Sequence, residues 1–270
     1  MELAKRMKKN YEDRFRNYLP NGLPVIVRLD GKNFSHMIKN KFQKPFDDDF
    51  IRMMNETAEY VCKNVQGCKF AYVQSDEISL LILNDSYSEP WFDNNLSKIL
   101  SITSSLATAK FNQLMMCYQL NKHTYDEDEI GLFGPNDCLR LIENSQLYQF
   151  DSRAFVIPNN EIINYFLYRQ NDCLKNSKQQ TAQTYLSHKE LLGKNTDEQI
   201  ALLKTTKGVD WNELPNDRKY GRFIWKEEVH LVSDDGYQYV RHLWKTHDGY
   251  LLNDEHNREI FHSMNIIPKR

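Results

Sequence analysis

Two aspartates stand at the ends of short apolar runs, and together they could form one reaction centre. Asp30 closes Val25-Ile-Val-Arg-Leu-Asp30 and is followed by Gly31-Lys-Asn-Phe34. Asp76 lies in Gln74-Ser-Asp-Glu77, between Phe70-Ala-Tyr-Val73 and an apolar run from Ile78 to Leu83. The first run predicts a buried strand ending at Asp30, and the second a hairpin with Ser75-Asp76 at its tip. If these strands pair, the two carboxylates meet at one sheet edge. Close carboxylates repel unless a cation lies between them. Mg²⁺ takes one or two carboxylates, keeps several waters and completes its shell with phosphate oxygens. Two such ions would serve an in-line attack at phosphorus. Gly31 permits close backbone approach, so its carbonyl or amide could reach a metal or a phosphate. Read alone, Asp-Gly is a common turn dipeptide.

The residues around this pair extend the idea. Lys32, Lys39, Lys41 and Lys44 make the segment after the first strand basic, with Arg28 just upstream. Lysines there would neutralise triphosphate oxygens as mobile point charges. Phe42 reads either as a platform for a purine base or as ordinary core. Ser75 is placed to hydrogen-bond a triphosphate, and Glu77 either braces the metal site or faces solvent.

The elements that must hold these groups follow from periodicity. Residues 2–18 predict a helix, with Leu3, Met7, Tyr11, Phe15 and Tyr18 on one stripe. Pro20-Asn-Gly-Leu-Pro24 ends it. Lys32 to Lys44 reads as a loop or short helix. Asp47-Asp-Asp49 then opens a helix whose stripe is Ile51, Met54, Ala58, Val61 and Cys62, ended by Gly67. A long helix is expected from Asp93 to Tyr118, a strand from Ala154 to Ile157 and a helix from Asn160 to Lys175. A further helix is expected from Thr196 to Thr205, behind a Thr cap. Phe223 to Val232 and Gln238 to Leu243 read as a hairpin around Asp234-Asp-Gly236.

Composition sets limits. The chain has 270 residues, 40% hydrophobic and 12% aromatic, enough for a sizeable core. No apolar run is long enough to span a membrane and the N-terminus lacks a signal-peptide core, so a cytoplasmic protein is expected. Five cysteines without a Cys-x-x-Cys pair argue against disulfide frameworks and zinc ribbons. A net charge of −2 does not mark a nucleic-acid binder, although local patches can still do that work. The basic residues Lys5, Arg6, Lys8, Lys9, Arg14 and Arg16 read as a solvated helix face or as an RNA contact. Asp126-Glu-Asp-Glu129 reads as a solvated acidic loop.

Several blocks in one order now bear on function: Arg28-Leu-Asp-Gly-Lys-Asn-Phe34, Phe42-Gln-Lys-Pro45, Gln74-Ser-Asp-Glu77, Phe150-Asp-Ser-Arg153, Arg169-Gln-Asn-Asp-Cys173 with Asn176, and Tyr220-Gly221. Together, from about Lys5 to about Lys226, they resemble the tRNA-His guanylyltransferase family. The likeness is nearest to the bacterial and archaeal guanylyltransferase-like 3′-5′ polymerases that repair tRNA 5′ ends. The resemblance implies an α+β polymerase/cyclase-like palm, an antiparallel sheet flanked by helices, with a helical C-terminal part and a β-hairpin. It implies a division into residues 1–135, carrying the carboxylates and nucleotide site, and residues 136–270, completing the palm with a helical tRNA-contacting region.

The same resemblance implies two Mg²⁺ ions on Asp30, Gly31 and Asp76, with Asp30 and Asp76 catalytic. It implies nucleotide contacts from Lys32, Asn33, Phe34, Ser35, His36, Phe42, Lys44, Ser75, Lys98, Arg153, Arg169 and Asp172. For Arg153, an Arg-Asp pair bracing a turn is the competing reading. The implied substrates are GTP or another nucleoside triphosphate, ATP and tRNA, and the implied assembly is a homotetramer. ATP would activate a 5′-monophosphate, and the 3′-hydroxyl of an incoming nucleotide would attack that end.

Two departures are visible. Eukaryotic members carry His directly after Asn-Phe, where this chain has Ser35 and then His36. Readers of the histidine anticodon carry a His-Ile-Asn-Asn-Leu-Tyr-Asn-like run after Asp-Cys. Here Leu174-Lys-Asn-Ser177 stands instead, which favours templated repair over histidine-specific addition of a single G. A nucleotide cyclase-like enzyme and a non-catalytic tRNA-binding module are the competing readings.

Overall fold

The computed structural model describes residues 2–83, 89–124, 140, 143, 145–233, 235–252 and 261. Its frame is a six-stranded antiparallel sheet in the order β4-β1-β3-β2-β5-β6. The strands are β1 Val25–Gly31, β2 Cys68–Gln74, β3 Glu77–Ile82, β4 Phe150–Val156, β5 Arg222–Val232 and β6 Gln238–Asp248. The first three come from the first half of the chain and the last three from the second. This is the α+β palm that the sequence implied.

Side-chain alternation divides the sheet into two faces. Val25, Val27 and Leu29 of β1, Ala71 and Val73 of β2, and Ile78, Leu80 and Ile82 of β3 enter one core. That core is covered by α3 (Asp48–Asn64) and α4 (Leu96–Thr124). Of the predicted α3 stripe, Met54, Ala58, Val61 and Cys62 are buried there, whereas Ile51 is half-buried. Asp47 caps α3 by accepting from the Phe50 amide at 3.0 Å. On the other face Ile26, Phe70, Tyr72 and Leu81 pack against α5 (Ile162–Tyr185) through Ile162 and Phe166. Beyond Phe166 the buried stripe of α5 turns polar, with Arg169, Gln170 and Ser177. Gln170 is fully engaged: its amide donates to the carbonyls of Tyr220 and Tyr250, and its oxygen accepts from the Leu252 amide.

A smaller cluster of Ala182, Leu186, Ile200, Leu203 and Trp211 joins the end of α5 to α6 (His188–Leu191) and α7 (Thr196–Lys207). This is the helical C-terminal part. The β5–β6 hairpin pairs to its tip, Val232 opposite Gln238, whereas β2 covers only Arg222–Trp225 of β5. The rest projects as an arm.

Several boundaries differ from expectation. The predicted N-terminal helix breaks into α1 (Leu3–Met7), a wider turn at Lys8–Glu12 and a tighter one at Asp13–Phe15. Its stripe packs on nothing described: Leu3, Met7, Tyr11, Phe15 and Tyr18 are all exposed. Without a core to fix a 3.6-residue repeat, spacing alone does not enforce one regular helix. The long helix starts at Leu96 rather than Asp93, because Phe92 and Asp93 turn at positive φ. α5 continues past Lys175 to Tyr185 because α7 packs on its second half. Asn195, not Thr196, caps α7, accepting from the Asp197 and Glu198 amides. The acidic stretch 126–129 lies outside the described residues, as does Asp234 of the hairpin turn. Among the described residues, no helix is long and apolar enough to cross a membrane.

Candidate active site

Because Ile26 faces α5, so do Arg28 and Asp30, two and four residues on. Neighbouring strands add to the same row. Asp30 lies opposite Glu77 of β3 and Asp151 of β4, and Arg28 lies opposite Ser79 and Arg153. The β2–β3 turn is Ser75-Asp76, with Ser75 at a φ of 44°. The Gly31 amide donates to the Asp76 carbonyl at 3.2 Å, which ties the end of β1 to this turn. Gly31 is required there: a Cβ at that position would lie 2.4 Å from the Phe34 ring. Asp30 and Asp76 thus line one cavity of about 670 Å³, together with Arg28, Ser75, Asp172 and Asn176.

The electrostatics are those of carboxylates held together. Burial pushes the Asp76 pKa up to about 6, and Asp30 adds to the rise. Asp30 is also raised, first by burial and then by Glu77 and Asp151, with Arg28 and Arg153 opposing. In a carboxyl whose folded-state pKa is raised, the protonated form stabilises the fold. That contribution is complete below the ordinary value of 3.8 and disappears as pH rises through about 6. For Asp76 it amounts to about 3 kcal/mol. The chain without divalent cations should therefore lose melting temperature between about pH 4 and about pH 6, and Mg²⁺ should restore it. Melts across this range for the chain and for Asp76→Asn check this, and an unchanged profile in the variant would count against it.

Glu77 does not face solvent. It is buried and accepts from Arg169 Nε at 2.7 Å on Oε1, with Arg169 Nη2 on Oε2. Ser79 Oγ adds a bond to Oε1 at 3.1 Å, and Arg169 Nη2 also reaches Asp172 Oδ2 at 3.0 Å. Burial opposes the Arg169 charge, but hydrogen bonds and charge from Glu77 more than offset it, raising the guanidinium pKa. Arg169 thus braces Glu77 and Asp172 through Nε and Nη2 while also lining the carboxylate cavity.

The remaining expected nucleotide residues divide between places. Lys32, Asn33, Ser35 and His36 line a different cavity of about 970 Å³ with Tyr148 and Gln149. The Lys32 amide is held by the Gln149 carbonyl at 2.8 Å. Phe34 is core: its ring packs on Phe111, Tyr148 and Phe150, so it offers a ligand no ring face. Phe42 is buried as well, against Phe50 and Tyr118, the core reading of the two that its sequence allowed. Lys44 is exposed, between Gln43 and Pro45, and both of these line a cleft of about 590 Å³ walled by Phe46, Phe50 and Ile51. Gln74, Ser75 and Asn176 line both this cleft and the carboxylate cavity, so the two adjoin.

Lys98 is not brought to the carboxylates. It sits in the first turn of α4, over the Phe92 ring at 5.5 Å, on the far face of the sheet. Thr103, further along α4, meets Ser152 opposite Leu29, which puts Lys98 towards the Val25 end of β1. Arg153 does face the α5 side, exposed, 3.6 Å from Asp151. Arg28 and Asp151 were not singled out from the sequence as site residues. Their signal was present as residues two before Asp30 and opposite it, but only strand order could place Asp151.

A palm sheet whose two aspartates line one cavity, with an apolar cleft adjoining it, is the frame of a nucleotidyltransferase, the class to which the comparisons assign this chain. The family model "Thg1: tRNAHis guanylyltransferase" matches residues 4–158, and the chain belongs to that family. A human probable tRNA(His) guanylyltransferase is 28% identical over 224 residues, 78% of this chain and 67% of that protein. A bacterial tRNA(His) guanylyltransferase (Thg1)-like protein solved in complex with ATP superposes with a TM-score of 0.77 at 33% identity, covering 99% of this chain and 100% of that one. A bacterial Thg1-like protein solved in complex with GTP superposes at 0.72 with 34% identity, covering 97% and 98%.

Proposed function

We propose that this chain adds nucleotides to the 5′ end of tRNA in the 3′-5′ direction, rebuilding truncated ends against the opposite strand. The observation that carries the reading is the meeting of Asp30 and Asp76 in one cavity that adjoins an apolar cleft. The cavity suits the triphosphate and the cleft its base. Leu174-Lys-Asn-Ser177, in place of an anticodon-reading run, favours repair over addition of a single G to histidine tRNA. A cyclase-like reaction would need no RNA and would yield a cyclic product.

The donor set fits Mg²⁺. Burial raises the pKa of both Asp30 and Asp76, and Asp30 adds to the rise at Asp76, a conflict that a cation between them would remove. Among the described residues, no group of three His, Cys, Asp or Glu could hold a metal ion. Two carboxylates completed by water and phosphate oxygens are what Mg²⁺ takes in nucleotide sites. The Gly31 amide is committed to Asp76, so any contribution of Gly31 to an ion comes from its carbonyl. Bound there, Mg²⁺ would lower the pKa of the attacking 3′-hydroxyl and neutralise the leaving phosphate. Asp30 and Asp76 hold the triphosphate end, Ser75 bridges cavity and cleft, and Glu77 with Arg169 keeps the carboxylate row in place.

The test is to incubate the protein with tRNA lacking its first nucleotide, adding each triphosphate in turn, and to sequence the 5′ end. Repair predicts addition of whichever nucleotide pairs with the opposite strand, in any tRNA supplied. Addition of G alone, to histidine tRNA alone, would replace this reading with the single-addition one. No addition together with a cyclic product would replace both.

A further inference from the structure

One exposed apolar stripe has no place in the mechanism above. The N-terminal segment carries Leu3, Met7, Tyr11, Phe15 and Tyr18 at spacings of three and four, and all five are exposed. Phe15 is 80% exposed and Tyr11 57%. A contiguous exposed apolar row marks a site of interaction, where scattered single residues do not. The same stretch is basic in a chain whose net charge is −2. Residues 2–18 hold six cations, Lys5, Arg6, Lys8, Lys9, Arg14 and Arg16, against Glu2, Glu12 and Asp13.

The segment is tied to the palm at its far end. Tyr18 bridges Asn95, the Leu19 amide donates to the Asn94 carbonyl at 2.9 Å, and the Leu96 amide donates to the Asn17 carbonyl at 2.8 Å. This anchor is the start of α4, and α4 runs from it towards the carboxylate end of the sheet. Thr103 meets Ser152 opposite Leu29, and Thr108 holds the Phe150 amide opposite Gly31. From Leu96 to Thr103 is about 10 Å of helix.

We propose that this segment holds an unpaired RNA strand beside the reaction centre. On the function proposed above, that strand is the one opposite the missing 5′ nucleotides, and the inference rests on that reading for the strand's identity alone. So many cations call for a polyanion. The rings at 11, 15 and 18 offer flat faces on which bases stack, interleaved with Arg14 and Arg16. Bases inside a duplex are already stacked on one another, so unpaired ones are the partners of such rings. A second copy of this chain is disfavoured, because in a two-fold contact the same patch meets itself and cations would face cations. A lipid surface is disfavoured because the apolar face is not one helix. α1 ends at Met7, and the turn widens over Lys8–Glu12 and tightens over Asp13–Phe15. An RNA strand, met one base at a time, needs no such continuity. Each nucleotide advances a stacked strand by about 3.4 Å, so about three of them match the helix between the anchor and Thr103. Templated addition needs such a hold, since the strand opposite a missing nucleotide has no partner of its own.

Binding of a labelled unpaired RNA of about ten nucleotides to the full chain, beside the same RNA annealed to its complement, tests the proposal. Tyr11→Ala combined with Phe15→Ala should weaken the single strand by about tenfold or more and leave the duplex unchanged. Lys9→Gln combined with Arg14→Gln should flatten the slope of log K against log salt by about 1.4, two phosphate contacts' worth. All four side chains are exposed, so both variants should melt as the parent does. Failure of the parent to bind the single strand, or unchanged binding in the ring variant, would overturn the proposal. A large drop in melting temperature would also overturn it, by showing that the stripe is packed. Sedimentation showing fewer copies per particle in the ring variant would assign the stripe to contacts between copies instead. Loss of binding to phosphatidylserine–phosphatidylcholine vesicles, with RNA binding intact, would assign it to a lipid surface. Sequencing of 5′ ends after incubation with truncated tRNA reads the proposed function separately. Strand binding that depends on the rings, in a protein that adds nothing, would keep the strand-holding segment and remove the repair reading. Addition by the ring variant with the parent's KM for truncated tRNA would do the reverse.

Discussion

Asp30→Asn and Asp76→Asn should each reduce nucleotide transfer by about a thousandfold or more, while leaving the fold as stable as before or more so. The two effects have one cause. Both carboxyls have raised pKa values, first because they are buried, with Glu77 and Asp151 adding to the rise at Asp30 and Asp30 adding to it at Asp76. Replacing either with its neutral isostere relieves the cost of burying a charge there and, on the proposed function, also removes an anchor for the triphosphate end. Charge stabilisation of this kind is worth several kcal/mol in the transition state, and about 4 kcal/mol corresponds to a thousandfold in rate. Transfer of labelled GTP to 5′-truncated tRNA, run beside thermal melts without Mg²⁺, reads both quantities. Transfer near the parent rate in either variant would leave the polymerase reading without its centre. Lost transfer accompanied by a large drop in melting temperature would mean that the aspartates hold the fold instead.

The second large effect concerns stability. Arg169→Met should cost about 3–5 kcal/mol, because it strands the buried Glu77 carboxylate without its partner. For a chain of this size that is a fall in melting temperature on the order of 10 °C. Glu77→Gln combined with Arg169→Met should recover much of the loss, since removing both charges removes the desolvation problem with them. Transfer should fall in the single variant as well, because Glu77 sits opposite Asp30 in the sheet. Urea or thermal unfolding of the two single variants and the double variant forms the cycle that isolates the pair. Additive losses would show that the ion pair contributes nothing of its own.

How much of this was legible before the fold depends on the range of the forces involved. The run Val25 to Asp30 and the hairpin tip at Ser75-Asp76 were readable because strand alternation and turn chemistry act over a few residues. Glu77 could not be assigned from the same signals. Alternation puts it on the face opposite Ile78, but whether that face meets water or α5 depends on a helix some ninety residues away. Phe42 and Phe34 look alike in a basic segment, whether they meet a base or the core. The packing of α4 against β1 and β4 decides that they belong to the core. Lys98 was readable as a helical residue but not as one on the wrong face. The N-terminal stripe is the reverse case, with a regular pattern and no described surface to receive it.

By itself, then, the sequence determined the two aspartates, the strands that end at them and the family they belong to. Short-range preferences and an ordered set of motifs are enough for that. Only the tertiary structure decided that Arg169 serves Glu77 and that Asp151 and Arg28 share the carboxylate row. Those relations join residues far apart along the chain, and they exist only once strand order and helix packing fix which side chains share a face.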